Sequence, residues 1–84
     1  MNDAYEVIYK VGTSDEIREV VLSPYEHAVE ERLEKKCKHG YKRYILGSYI
    51  ISITKIPYEQ VRLSDLSLEE LLETLKDFKD LGLL

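Results

Sequence analysis

Ala4-Tyr5-Glu6-Val7-Ile8-Tyr9-Lys10-Val11 is the stretch on which the reading of this chain turns. Tyr5, Val7, Tyr9 and Val11 fall at every second position, with Glu6, Ile8 and Lys10 between them. A period of two belongs to a strand, whose successive side chains point to opposite faces. Gly12, Thr13, Ser14 and Asp15 follow with turn chemistry, and Ile17 to Leu22 is again rich in β-branched residues. The spacing therefore predicts an N-terminal β-hairpin.

Beyond the hairpin the period lengthens. Ser23-Pro24-Tyr25-Glu26 predicts a helix start, with Ser23 as N-cap, Pro24 at the first helical position and Glu26 closing a capping box. Tyr25, Ala28, Val29, Leu33 and Cys37 then recur at helical spacing, leaving Glu26, Glu30, Glu31, Glu34 and Lys38 for solvent. Gly40 suits a left-handed stop, so the helix is expected to end at about His39. Tyr41 to Leu46 and Tyr49 to Ile56 are strand-like and separated by Gly47-Ser48, which suits a second hairpin. Pro57 ends the last strand or leaves Val61 and Leu63 to extend it past a bulge. Ser67-Leu68-Glu69-Glu70 is a second capping box, flanked by Leu66 and Leu71 as a hydrophobic staple. Leu68, Leu71, Leu72, Leu75 and Phe78 form the apolar stripe of the helix it opens, which runs to about Leu81 and closes on Gly82 and Leu83. The order ββαββα predicts an α+β fold: one α+β domain over residues 1–84, with a four-stranded, mainly antiparallel sheet and two helices packed on it.

Composition narrows the function. With Cys37 as the one cysteine no intramolecular disulfide forms, which fits a reducing, cytoplasmic setting. Charges interrupt every apolar run well short of the roughly 18 residues that cross a bilayer, so no membrane span is expected. The net charge of −4 hides a segregation. Residues 1–34 carry nine acids and three bases, residues 35–62 one acid and seven bases, and residues 63–84 six acids and two bases. Both ends are acidic and the middle is basic.

Catalytic chemistry is not legible. The two histidines, His27 and His39, have no nucleophile and orienting acid at a spacing that makes a triad. Glu26, Glu30 and Glu34 share a helical face and read as a solvated surface. Cys37 and His39, with His27 or an acid as a third ligand, would be the metal-site candidate, but a Cys-x-His pair on a helix end points its side chains widely apart, and Cys37 falls on the apolar stripe as a buried thiol. All four glycines stand singly at element boundaries, so no phosphate loop is present. The reading is non-enzymatic, with no catalytic residue, metal ligand or cofactor assigned.

Two surface functions remain. Leu68, Leu71, Leu75 and Phe78 are spaced three, four, three, as in a heptad seam, and are the expected protein interface. They point to an interaction module that regulates or inhibits an unidentified protein partner as a homodimer, in the manner of small accessory proteins of viruses and mobile elements. The alternative lies in the basic, tyrosine-containing segment 35–44. There Lys36, Lys42, Arg43 and Tyr44 combine phosphate neutralisation with a stacking ring, as nucleic-acid binding requires. The same lysines also complement the negative end of a helix dipole, and the flanking acidic segments oppose a polyanion.

Overall fold

A computed structural model of the chain describes residues 2–11, 15–39 and 48–82, and of these the backbone alone at Val11, Cys37, Lys38, His39 and Ser48. Along it run β1 (Asp3–Val11), β2 (Ile17–Ser23), α1 (Val29–His39), β3 (Ser48–Ile56) and α2 (Leu68–Asp80). The architecture is α+β. The strands form an antiparallel sheet in the order β2-β1-β3. The expected strand Tyr41 to Leu46, with the glycine turn that would join it to β3, lies outside the described residues.

The alternation in β1 works as the sequence predicts. Tyr5, Val7 and Tyr9 are at most 5% exposed and share one face, where Val21 opposes Tyr5 and Ile53 opposes Val7. Val29 and Leu33 of α1 complete this core, with Ile17, Ile50 and Ile53 packed against it. Burying each such aliphatic side chain contributes about 1.5–3 kcal/mol. β2 and β3 are both antiparallel to β1 and lie on either side of it, so they are parallel to each other and α1 crosses between them. This is a split β-α-β arrangement, in which the crossover helix covers the central strand.

A bulge rescues the core in β3. Ile8 pairs with Ser52 but Tyr9 with Ile50, leaving Ile51 as the extra residue. Strict alternation would put Ile50 and Ile53 on opposite faces. The extra residue shifts the parity, so that both reach the α1 side, and Ile51 is left 44% exposed.

One helix boundary differs from the sequence reading, while β3 ends at Ile56, just before Pro57, as the first of the two readings of that proline expects. Ser23 does not cap α1: it is fully buried as the last residue of β2, paired with Asp3, and its hydroxyl donates to the Tyr25 carbonyl at 2.7 Å. With Ser23 held by the ladder, the chain makes a 3₁₀ turn over Glu26–Ala28, with Tyr25 in the N-cap position and no side-chain cap, before α1 begins at Val29. Tyr25 accordingly leaves the expected apolar face and stands 59% exposed, stacked on His27 with ring centroids 5.1 Å apart. After Pro57 the strand does not resume. Val61 and Leu63 instead lie between and within 3₁₀ turns over Tyr58–Gln60 and Leu63–Asp65, the second closed by the Asp65 carboxylate accepting from the Arg62 backbone at 3.0 Å.

The second capping box forms as read. Ser67 Oγ accepts from Glu70 N at 3.2 Å, and Glu70 Oε1 accepts from Ser67 N at 3.0 Å. α2 ends where Gly82 takes φ +76°, its N–H donating to the Lys79 carbonyl at 3.0 Å.

Candidate functional site

β2 is an outer strand, and backbone groups that point away from β1 need other partners. Three side chains supply them. The Leu22 N–H donates to Glu70 Oε2 at 2.8 Å, the Leu22 carbonyl accepts from the Arg32 guanidinium at 3.1 Å, and the Val20 carbonyl accepts from Lys36 Nζ. An edge that could template another strand is thereby sealed by residues from α1 and α2.

Lys36 and Glu70 form the centre of this seal. Lys36 Nζ lies 2.7 Å from Glu70 Oε1 and 3.5 Å from Glu19 Oε1, and donates to the Asp65 carbonyl at 2.6 Å. With Val20 and Asp65 as carbonyl acceptors and Glu70 as the carboxylate, all three ammonium hydrogens are used. The side chains of Lys36, Glu70 and Glu19 are 13%, 10% and 5% exposed, so one cation and two carboxylates are held largely out of water. Outward from them Arg32 pairs with Glu73 at 3.2 Å, and Asn2 Nδ2 donates to Glu73 at 2.9 Å. A cleft of about 160 Å³ lies here, lined by Leu22, Arg32, Lys35, Lys36, Glu70 and Glu73 among others. Its walls are charged, but Arg32, Lys36, Glu70 and Glu73 are engaged with one another.

Further along the sheet Arg18 Nε donates to Glu6 at 2.6 Å. That bond raises the guanidinium pKa further above its ordinary range. The Tyr58 hydroxyl donates to the Asn2 carbonyl. Burial first, then the negative charges of Asp3 and Asp77, push its phenol pKa up.

Held in this way, α2 turns Glu70, Leu71, Thr74, Asp77 and Phe78 toward the body of the protein, all buried or half-buried. The four residues read as one interface are therefore divided. Leu71 and Phe78 face in, whereas Leu68 is 72% and Leu75 44% exposed. Leu72, 56% exposed, joins the outer pair. At 3.6 residues per turn Leu68, Leu72 and Leu75 share one stripe, rotated roughly a third of a turn from the buried one. A helix with one dry face needs no such second row.

The alternative site falls differently. Lys36 is consumed in the buried ion cluster, and Lys42, Arg43 and Tyr44 lie outside the described residues. His27 is exposed and stacked on Tyr25, while the side chains of Cys37 and His39 are not described. Among the described residues no helix is long and apolar enough to cross a membrane.

Sequence reasoning identifies Glu70 as a cap but misses its second carboxylate oxygen, which reaches 48 residues back to Leu22. A Glu at the third position of a helix is signal enough for the cap and carries no trace of the longer link. Compared with known proteins, the chain matches no family model, no curated protein and no solved structure.

Proposed function

We propose that this chain is a small non-enzymatic interaction module that acts as a homodimer and regulates or inhibits a protein partner. The observation that carries this reading is the exposed row Leu68, Leu72 and Leu75 on a helix already anchored through its other side. The anchoring removes the simplest reason for those leucines, covering the sheet. Exposed aliphatic rows on an ordered helix gain stability when a second surface dries them. The exposed acids of α1, Glu30, Glu31 and Glu34, form a separate polar face suited to a basic surface on an unlike partner. Nucleic-acid binding keeps less support, because Lys36 serves the fold.

Light scattering across a concentration series tests the homodimer. The wild-type chain is expected to show twice its monomer mass at high micromolar concentration, and a Leu72→Ser/Leu75→Ser variant with an unchanged circular dichroism spectrum is expected to show the monomer mass. A wild-type monomer at that concentration removes the homodimer. Regulation is tested separately, by whether an identified host partner changes activity on adding the wild-type chain and changes less with the variant.

A further inference from the structure

The outer row has a definite register. With Leu68, Leu72, Leu75 and Lys79 spaced four, three, four, the row follows the d and a positions of a heptad, and Lys79 contributes only the apolar stem of its side chain. The positions that follow the two d residues are Glu69 and Lys76, both exposed. On the opposite flank the corresponding positions hold Leu71 and Phe78, which face the protein's own body. One flank of the row is thus charged and exposed, acidic toward the N-terminus of α2, where Glu69 also borders the cleft, and basic toward its C-terminus.

That polarity selects an occupant. A parallel second copy would set Lys79 against Lys79 and would leave Glu69 and Lys76 facing Leu71 and Phe78, without charge partners. An antiparallel copy sets Lys79 against Leu68 and brings each Glu69 to the other chain's Lys76, twice over by symmetry.

We infer that a second copy of this chain covers the outer row, α2 lying antiparallel to α2 about a two-fold axis close to residues 73 and 74, so that Leu72 meets the partner's Leu75 and Glu69 pairs with the partner's Lys76. This rests on the homodimeric reading and fixes its geometry. The seam is short, about 20 Å for a 13-residue helix, so the dimer is expected to be reversible in the micromolar range rather than obligate.

Charge reversal separates the geometry from the reading. Glu69→Lys and Lys76→Glu change exposed residues and leave the leucines intact. By sedimentation equilibrium at low salt, each single variant is expected to weaken the dimer about tenfold, two symmetric attractions having become repulsions. The double variant is expected to return to within about threefold of wild type. If Leu72→Ser abolishes the dimer while neither reversal weakens it, or if the double variant is no better than the singles, the antiparallel pairing is overturned and the homodimeric reading survives. A wild-type chain that stays monomeric at high micromolar concentration overturns both, leaving the row to an unlike partner.

Discussion

The two helices dock by opposite means. α1 puts Val29 and Leu33 into the core with no exposed surface and keeps Glu30, Glu31 and Glu34 outside, as an amphipathic helix does. On α2 the most deeply buried residue is Glu70, while Leu68, Leu72 and Leu75 face outward. Apolar docking tolerates small shifts because dispersion and desolvation have no direction. A carboxylate holding a backbone N–H on β2 and an ammonium on α1 sets position and rotation together. In α2 the polar contacts decide which leucines are left over, and orientation rather than burial is the product.

The largest expected effect comes from breaking the polar dock. Lys36→Met leaves the buried Glu70 and Glu19 without this cation, and removing one partner of a buried ion pair costs about 3–5 kcal/mol. Urea denaturation measures it. A loss under about 1 kcal/mol would mean that the cluster is incidental and the contrast between the helices is false. Adding Glu70→Gln to Lys36→Met should recover part of the loss, because one of the two buried charges is removed and the amide oxygen still accepts from Leu22 N, while the Ser67 N–H loses its acceptor.

A leucine taken from each helix sharpens the contrast. Leu33→Ala empties a fully buried site in α1 and is expected to cost about 2–5 kcal/mol. Leu72→Ala removes a half-exposed side chain and, at concentrations low enough to hold the monomer, should cost no more than about 0.5 kcal/mol. The same residue type at helical spacing thus gives two answers, measured on one instrument under one condition. Comparable losses at both sites would show that the outer row is covered within the single chain.

These contrasts also mark how far the sequence was legible. Strand alternation in β1 and the Ser67 and Glu70 capping box are local patterns in which one rule dominates, and both appear as read. Ser23 failed as a cap because two local rules competed for it, the end of a strand and the start of a helix, and the ladder to Asp3 won. The bulge at Ile51 was hidden because an isoleucine-rich run satisfies either parity. The division of the α2 leucines was hidden more deeply. A heptad fit to Leu68, Leu71, Leu75 and Phe78 uses the helix alone, whereas the rotation of α2 is set by contacts from Glu70 to residues in β2 and α1.

The smaller effects probe the attachments around that anchor. Ser67→Ala removes the cap that presents Glu70 and is expected to cost about 1 kcal/mol in thermal denaturation. Tyr58→Phe is expected to cost about 0.5–1.5 kcal/mol at neutral pH, through loss of the hydroxyl bond to the Asn2 carbonyl. Its pH dependence is more telling. Burial, then Asp3 and Asp77, raise the folded-state pKa of Tyr58, so the folded chain holds the phenolic proton more tightly than the unfolded chain does. The resulting stability is fully present below the unfolded value, near 10, and is lost as pH rises through the higher folded value. The gap between wild type and Tyr58→Phe should therefore narrow on the alkaline side, while the gap between wild type and Leu33→Ala, which involves no proton, keeps its size. If both gaps follow the same alkaline course, Tyr58 titrates without regard to the fold, and the polar attachment of the second half of the chain does not extend to Asn2.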